Sequence, residues 1–435
     1  MLKRKIEEKM KLWKESKYGL LIDGARQVGK TYIIREFLNN NFENYVELNM
    51  YENKAAVSVL TKAVDSKDFM LRLSTLVDRP LVKNSTVIFI DEVQEFKDFD
   101  IVTMMKFLVE KGEYRFVLSG SLLGVEEYGI ESWPEGYMML EKMYPLDFEE
   151  FLWANGVGED VIEVVKECRK SLSPVPDFIH DRFMDLFKKY LLVGGMPKAV
   201  ETFVEKNDLN AVALDHRVIN QFIVRDITKY AGEENRILIR EMYDLLPSEL
   251  NRQSKRFTLK DIPTKYKKKN LGLSFGWFTK AGVAIPVYNV DAPEIPLEAA
   301  SNHQLVKLFH EDVGMLTYLM MNPDIKRSIL DDGMDLNFGA IYENAVAQML
   351  TAKGLDPLYY YSKNGIGELD FIIEKGSEII PIEVKSGKSY KRHSALNNFI
   401  TNPIYSIKKA YVLANSNTEI KGKVNYMPIY MCCFL

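Results

Sequence analysis

The sequence predicts an α/β protein of several domains, with a nucleotide-binding core at its N-terminal end. Three observations predict this fold class. Residues Gly24 to Thr31 fit the phosphate-binding loop pattern G-x-x-x-x-G-K-[S/T], between an apolar strand and a helical segment. A second apolar strand, 86–90, ends in the carboxylates Asp91 and Glu92. Further along, helices give way to a C-terminal series of strands that carries a second set of carboxylates.

Length and composition limit the class of protein. The chain has 435 residues, more than one ordinary hydrophobic core holds, so we expect about three domains. No apolar run reaches the roughly 18 residues of a membrane helix, and residues 1–17 lack the apolar core of a secretion signal. Cys168, Cys432 and Cys433 suit neither a zinc site nor a disulfide framework. We therefore expect a cytoplasmic protein without a membrane partner.

The phosphate-binding loop dictates its own chemistry. Glycines let the backbone curl so that N–H groups point at phosphate oxygens near a helix N-terminus. Lys30 would reach the β- and γ-phosphates of ATP, and the Thr31 hydroxyl would bind Mg²⁺. The predicted nucleotide contacts are Gly24, Gln27, Val28, Gly29, Lys30, Thr31, Tyr32 and Asp91. The alternative is an ordinary glycine turn before a helix.

The strand that ends in Asp91 and Glu92 supplies the second part of the nucleotide site. In an open α/β sheet, ligands bind beyond the carboxyl ends of the strands, where both Lys30 and Asp91 would lie. Asp91 would hold Mg²⁺ through its water shell, and Glu92 would orient or deprotonate the attacking water. The alternative is a strand that merely ends in acidic loop residues. ATP and Mg²⁺ are the predicted cofactors.

A third apolar strand, 116–118, ends in hydroxyl side chains. In this kind of ATPase, a polar residue at a strand end contacts the γ-phosphate or the attacking water. Ser119 is the first candidate for this role and Ser121 the second, while a hydroxyl that caps a turn is an equal alternative. The catalytic candidates of the whole chain are Lys30, Glu92, Ser119 and Lys385.

Residues 145–230 are predicted to be mainly helical, with a break at Val193–Pro197. A helical lid that follows a nucleotide-binding sheet accounts for this segment. Arg225 could sense the γ-phosphate or reach into a neighbouring subunit, so a homo-oligomer is a prediction to test. A salt-bridged surface arginine is the favoured alternative.

The stretch 251–270 is strongly basic. It holds eight lysines and arginines and the single acidic residue Asp261, in a chain of net charge −4. A short helix around 258–268, followed by strands at 283–288 and 305–309, indicates a winged-helix module whose basic helix would meet DNA phosphates. A solvated lysine-rich face is the alternative, and lysines alone read no base sequence.

The C-terminal segment holds a second candidate site. The predicted elements are a helix over 338–350 and strands over 358–361, 367–373 and 379–385. A turn at Gly376-Ser377 makes a hairpin, so Asp370 and Glu383 would stand close, with Lys385 on the same face as Glu383. With Glu343 from the helix, they could bind one or two Mg²⁺ ions that polarise a phosphodiester. The alternative is a set of edge-strand charges.

The chain resembles bacterial and archaeal AAA-type ATPases of uncharacterised role that carry a C-terminal restriction-endonuclease-like domain. The resemblance is carried by Gly24-Ala25-Arg26-Gln27-Val28-Gly29-Lys30-Thr31, Asp91-Glu92, Leu118-Ser119-Gly120-Ser121, the segment Tyr144 to Phe151, Gly194-Gly195-Met196-Pro197, Tyr342-Glu343-Asn344, Glu368-Leu369-Asp370-Phe371 and the segment Ile382 to Gly387. Glu343, Asp370, Glu383 and Lys385 all match the endonuclease-like residues by type. The family usually has an arginine after the glycine equivalent to Gly136, whereas this chain has Tyr137, so the resemblance does not extend to a trans-acting arginine.

The resemblance implies four regions. They are an AAA-type ATP-binding core over 1–150, a helical lid over 151–232, a winged-helix-like basic domain over 233–332 and a small α/β restriction-endonuclease-like domain over 333–435. Three functions fit this organisation. The first is an ATPase that acts on DNA through 251–270 and a metal-dependent, nuclease-like C-terminal domain. The second is a nucleotide-switched DNA-binding or scaffold protein with a silent tail, and the third is a protein-remodelling ATPase.

Overall fold

The protein is described by a computed structural model that covers residues 2–97, 99–121, 136–230, 236–252, 276–330 and 338–435. The chain forms two compact units. The first unit comprises Arg4–Tyr144 and Lys280–Gly282, and the second comprises Met1–Lys3, Pro145–Thr279 and Val283–Leu435.

The first unit is an α/β layer structure with a five-stranded parallel sheet. Its helices are α1 (Ile6–Lys14), α2 (Lys30–Asn41), α3 (Lys54–Leu60), α4 (Ser66–Ser74) and α5 (Ile101–Lys111), and its strands are β1 (Gly19–Asp23), β2 (Asn44–Asn49), β3 (Thr86–Asp91), β4 (Arg115–Gly120) and β5 (Met138–Lys142). The strand order is β2-β3-β4-β1-β5, and every pair is parallel. The α/β parallel sheet predicted for the N-terminal core is confirmed.

Alternating side chains of the central strands explain why this sheet is covered on both faces. Ile88 and Ile90 of β3 enter one hydrophobic core with α3, α4 and α5. Val87 and Phe89 enter another with α1 and α2. All six residues of β3 are buried, as expected of a parallel strand between two helical layers. Because the strands are parallel, the ends of β1, β3 and β4 lie at one edge of the sheet.

The second unit combines helices with a mixed eight-stranded sheet. Its helices are α6 (Phe148–Ala154), α7 (Glu159–Ser171), α8 (Asp177–Val193), α9 (Pro197–Lys206), α10 (Leu209–Tyr230), α11 (Arg236–Leu250), α12 (Val313–Met320), α13 (Pro323–Leu330), α14 (Gly339–Ala352) and α15 (Ser394–Thr401), and its strands are β6 (Ala284–Val290), β7 (Ser301–His310), β8 (Leu358–Lys363), β9 (Gly367–Lys375), β10 (Glu378–Val384), β11 (Ala410–Ala414), β12 (Glu419–Lys421) and β13 (Val424–Pro428). The strand order is β12-β13-β11-β10-β9-β8-β6-β7.

The eight-stranded sheet crosses the domain boundary predicted at 332/333. Strand β6 pairs with β7 in antiparallel fashion and with β8 in parallel fashion, from Val287 opposite Leu358 to Val290 opposite Tyr361. The two strands predicted for the winged helix therefore belong to the same sheet as the C-terminal strands. The predicted helix at 258–268 and all but two residues of the basic stretch lie outside the described residues, so the winged helix stays a prediction.

The helices predicted as a lid share a hydrophobic core with this sheet. On α8, Phe183 contacts Tyr430 with ring centroids 5.3 Å apart, and Phe187 contacts Tyr342 of α14 at 5.9 Å. After α8, the backbone N–H of Gly195 donates to the buried Asp312 carboxylate at 2.6 Å. The break predicted at Gly194-Gly195 is thus the point where the helical segment joins the C-terminal part of the chain. In the described parts of the chain, no helix has the length and apolar character to cross a membrane.

Candidate functional site

The phosphate-binding loop connects β1 to α2, as its sequence predicts. Gly24 and Gly29 have φ angles of 149° and 94°, in the region that favours glycine. A Cβ atom at Gly24 would lie 2.1 Å from the carbonyl oxygen of Met143, so no other residue fits there. Gln27 also has a positive φ, 63°. The loop backbone therefore depends on its glycines for this curled path.

Lys30 begins α2, and its side chain folds back over the loop. Its ammonium group donates to the carbonyl oxygens of Gly24 at 2.7 Å and Ala25 at 2.8 Å. Burial lowers the pKa of Lys30, while the nearby carboxylate of Glu92 opposes that effect. The result is a buried cation whose present partners are neutral carbonyl groups, which a phosphate oxygen can replace.

Asp91 is held by donors on both carboxylate oxygens. Its Oδ2 accepts from Thr31 Oγ1 at 2.8 Å and from Asn49 Nδ2 at 2.9 Å. Its Oδ1 accepts from Ser119 Oγ and from the backbone N–H of Glu92 at 3.0 Å. Four donors therefore fix the orientation of the Asp91 carboxylate, and the residue is only 1% exposed. The two residues predicted to serve Mg²⁺, Thr31 and Asp91, are therefore in direct contact.

Glu92 lies in the left-handed region of the backbone, with φ 59° and ψ 46°. Its Oε2 atom accepts from the amide nitrogen of Gln94 and from Ser121 Oγ at 3.3 Å. Gln94 is buried, and its amide also lies 3.4 Å from the Ser121 hydroxyl. Two donors thus share the oxygen that would accept a proton from water.

The C-terminal carboxylates come from three elements. Glu343 lies on α14, Asp370 on β9 and Glu383 on β10, with Lys385 immediately after β10. Asp370 Oδ2 accepts from the backbone N–H of Val384 at 2.8 Å, and Lys385 Nζ lies 2.6 Å from Glu383 Oε1. The antiparallel pairing of β9 with β10 explains why Asp370 and Glu383 are near each other, as predicted.

The pKa of Glu383 is strongly perturbed. Burial and the neighbouring Asp370 raise the pKa of Glu383 to about 8, against the opposing effect of Lys385. Burial alone would lower the pKa of Lys385, but the carboxylates of Glu383 and Asp370 outweigh it and raise that pKa. Within the part of the chain that the structure describes, Glu383 Oε2 is buried and accepts no hydrogen bond. A divalent cation would satisfy this oxygen, so the pair Asp370 and Glu383 fits a metal.

The predicted set of three metal-binding carboxylates is not preformed. Among the described residues, no group of three or more His, Cys, Asp or Glu side chains is arranged to hold a metal ion. In this arrangement, Asp370 accepts a hydrogen bond from Val384 N–H, and one oxygen of Glu383 is paired with Lys385. A metal site that also uses Glu343 would require a rearrangement of these side chains.

Comparison with protein families assigns the N-terminal part of the chain. A model of an AAA domain matches residues 16–152. The match covers less than half of the chain, so it shows what this segment is similar to, and residues 16–152 are called the AAA domain below. Two further models, both of domains of unknown function, match residues 184–326 and 338–432. The endonuclease-like character of the C-terminal domain therefore stays a prediction.

Comparison with solved structures gives matches of low sequence identity and low TM-score. A Walker-type ATPase of Pyrococcus abyssi is 16% identical, over 74% of this chain and 96% of its own, with a TM-score of 0.44. The Aeropyrum pernix ORC1 protein in complex with DNA is 12% identical, over 74% and 94%, with a TM-score of 0.26. The Thermotoga maritima RuvB Holliday junction branch migration motor is 12% identical, over 67% and 89%, with a TM-score of 0.30. Comparison with curated protein sequences gives no match. At these scores, the similarities carry no argument about function.

The AAA domain brings together most residues predicted for its nucleotide site. Lys30, Thr31, Asp91 and Ser119 meet at one edge of the sheet, and Ser119 binds the Asp91 carboxylate. Of the other predicted contacts, Val28 is buried, while Gln27 and Tyr32 are exposed. Arg225 is exposed on α10.

Two further residues belong to this site but were not predicted from the sequence, Asn49 and Gln94. Asn49 ends β2 directly opposite Asp91 in the parallel register. Its Oδ1 accepts from the backbone N–H groups of Tyr51 and Glu52, both at 3.0 Å, which turns its amide NH₂ toward Asp91. A polar residue at the end of a predicted strand was the available signal for Asn49. Gln94 lies two residues after Glu92 in a short turn, and nothing in its spacing distinguishes it.

Proposed function

We propose that the AAA domain binds and hydrolyses ATP. The observation that carries this proposal is the meeting of Lys30, Thr31 and Asp91 at the edge of the parallel sheet, with Glu92 adjacent. Such a set supplies a cation for the phosphates, a hydroxyl and carboxylate for Mg²⁺, and a base for water. Each has a defined position before the nucleotide binds.

The arrangement supports a specific sequence of contacts. When ATP binds, Lys30 exchanges the carbonyl oxygens of Gly24 and Ala25 for phosphate oxygens. Thr31 and Asp91 would hold Mg²⁺, while Asn49 and Ser119 keep Asp91 in place. When bound, Mg²⁺ would neutralise charge that develops on the β- and γ-phosphates. Glu92 must give up a donor, from Gln94 or Ser121, to accept a proton from the attacking water.

Replacement of the loop lysine tests this proposal. Lys30→Ala removes the buried cation that contacts the carbonyl oxygens of Gly24 and Ala25, so we expect loss of ATP binding or at least of turnover. Lys62→Ala is a matched control, because Lys62 is exposed elsewhere in the AAA domain. ATP hydrolysis that survives Lys30→Ala would show that the nucleotide site has been assigned wrongly.

We also propose that the protein acts on DNA, with the C-terminal domain as a metal-dependent, nuclease-like module. The basic stretch 251–270 supports DNA contact, since its positive charge would attract phosphates. Asp370, Glu383 and Lys385 support phosphodiester chemistry: the two carboxylates would hold a cation, and Lys385 would stabilise negative charge on the phosphate. Mg²⁺ is the expected metal in both domains.

Two observations favour the alternative of a nucleotide-switched DNA-binding protein with a silent tail. The three predicted carboxylates are not preformed as a metal site in the described residues, and Glu383 holds its proton near neutral pH. Incubation of the protein and its Asp370→Asn variant with linear, circular and branched DNA, with Mg²⁺ or Mn²⁺ and with or without ATP, separates the two. Cleavage by the parent alone supports the nuclease. DNA binding without cleavage supports the silent tail, and no DNA binding at low salt supports a protein-remodelling ATPase.

A further inference from the structure

The C-terminal part of the chain contains an open cavity of ≈ 610 Å³ that lies apart from the carboxylates described above. It is formed by the segment around α15, by the loop that follows this helix, and by the β12–β13 hairpin. Its polar lining includes Lys391, His393, Asn402, Lys421, Lys423 and Tyr426. The volume lies within the range of about 300–1,000 Å³ that is typical of small-molecule sites.

The charge of this cavity is one-sided. Three lysines line it, and none of its described lining residues is Asp or Glu, although the whole chain has a net charge of −4. Lys391 lies 2.6 Å from the carboxylate of Glu419, which is outside the lining. Lys421 and Lys423 make no ion pair with the described residues. Two exposed ammonium groups are therefore available to an anion, in a concave site that favours a negative ligand.

The remaining lining adds neutral hydrogen-bonding groups and apolar walls. His393 and Tyr426 are both buried, and His393 Nε2 lies 2.8 Å from the Tyr426 hydroxyl, so they form a rigid pair. Asn397 and Asn402 provide amide groups, and Ile400, Pro403 and Val424 provide apolar surface. A ligand that combines a phosphate with a sugar and a base would use all three kinds of surface.

The cavity is electrostatically connected to the candidate nuclease residues. His393 loses proton affinity mainly through burial, and the charges of Lys385 and Lys421 lower its pKa further. Lys385, which is paired with Glu383, and Lys421, which lines the cavity, therefore both lower the pKa of the His393 imidazole.

We propose that this cavity binds the phosphate group of a nucleotide, either a free nucleotide or one unit of a DNA strand. It would be a second nucleotide site, separate from the phosphate-binding loop. The inference extends the proposed contact between the C-terminal domain and DNA, and in that respect rests on it. Binding at the cavity requires neither ATP turnover nor DNA cleavage, so its test is independent of both.

The test uses the full chain with Lys30→Ala, so that the phosphate-binding loop does not contribute. Two probes are titrated by fluorescence anisotropy or calorimetry: thymidine monophosphate and a fluorescein-labelled four-nucleotide thymidine strand. The test variant adds Lys421→Gln and Lys423→Gln, both at exposed positions where a folding defect is not expected. The matched control adds Lys363→Gln and Lys375→Gln, which remove the same charge from exposed positions of the same unit outside the cavity.

We expect the test variant to bind at least one probe about tenfold more weakly, with a salt dependence of strand binding smaller by about 0.7 in log–log slope, as one lost phosphate contact predicts. The control should bind as the Lys30→Ala parent does. Binding of the monophosphate would identify a free nucleotide as a ligand, and binding of the strand alone would identify a strand contact; either supports the site if the test variant loses it. Equal binding by all three proteins, an equal loss in the control, or no binding of either probe would overturn the proposal.

Discussion

Glu383→Gln should make the second unit more stable at alkaline pH while it removes metal binding. The wild-type carboxyl has a pKa raised to about 8 by burial and by Asp370, whereas the same group in an unfolded chain has an ordinary value of 4.5. A carboxyl with a raised pKa in the folded state favours folding while it is protonated. Its contribution is fully present below about pH 4.5 and is lost as the pH rises through about 8. Glutamine cannot ionise, so the variant lacks this loss.

The magnitude follows from the two pKa values. Proton linkage between 4.5 and about 8 predicts that the wild type loses on the order of 3 kcal/mol through this group between about pH 5 and pH 8. For a domain of a few hundred residues, that difference corresponds to roughly 5–10 °C in Tm. Other groups also titrate in this interval, so the relevant quantity is the difference between the pH dependence of the variant and that of the wild type.

Differential scanning calorimetry of the full chain at several pH values measures this difference. Glu419→Gln is the control, because Glu419 is an exposed carboxylate of the same unit. Mn²⁺ should raise the Tm of the wild type more at pH 8 than at pH 6, since the metal competes with the proton on Glu383, and should leave Glu383→Gln unchanged. If the Tm of the wild type and that of Glu383→Gln change with pH in the same way, Glu383 is not a buried acid whose pKa is raised by its neighbours.

Three further predictions concern the nucleotide site and the basic stretch. Gln94→Ala removes one hydrogen-bond donor from Glu92 Oε2. From the typical strength of a hydrogen bond to a charged group, we expect ATP turnover at saturating ATP to rise by about fivefold or more. A fall in kcat would instead make Gln94 a positioning residue. Asn49→Ala removes one of the four donors to Asp91, and Mg²⁺-dependent ATP binding should weaken by about tenfold relative to an Asn40→Ala control on the exposed side of α2, measured by titration with Mg²⁺. Replacement of lysines 267–269 by glutamine should weaken DNA binding and reduce its log–log salt slope by about 2.7 for duplex DNA, and an unchanged slope would exclude this stretch as a DNA contact.

The sequence was most informative where function depends on local backbone geometry. The curled path between β1 and α2 needs Gly24, and the motif identifies that glycine because the requirement is local. The burial of β3 follows from its continuous apolar run, and the position of Asp91 follows from the strand end. The hairpin that joins Asp370 to Glu383 is likewise local, with its turn at Gly376.

Long-range pairing could not be predicted in the same way. Nothing in the local sequence of β6 shows that Val287 pairs with Leu358. Nor does the sequence around Gly195 show that its backbone N–H donates to Asp312. These contacts connect the helical segment and the strands at 284–310 to the C-terminal sheet, across the predicted boundaries. The predicted metal ligands are a third case. The sequence supplies carboxylate residues, but it does not show that Asp370 and Glu383 already bind Val384 N–H and Lys385.

We propose that the AAA domain hydrolyses ATP with Glu92 as the residue that activates water. Steady-state ATP hydrolysis by the purified full chain and by Glu92→Gln, with ATP binding measured in parallel, tests this role of Glu92. We expect Glu92→Gln to retain ATP binding through Lys30 while its turnover falls by about a hundredfold or more, as loss of a general base predicts. Turnover by Glu92→Gln at the wild-type rate would show that Glu92 does not activate the water. A wild-type protein that binds no ATP would show that the AAA domain is not an ATPase.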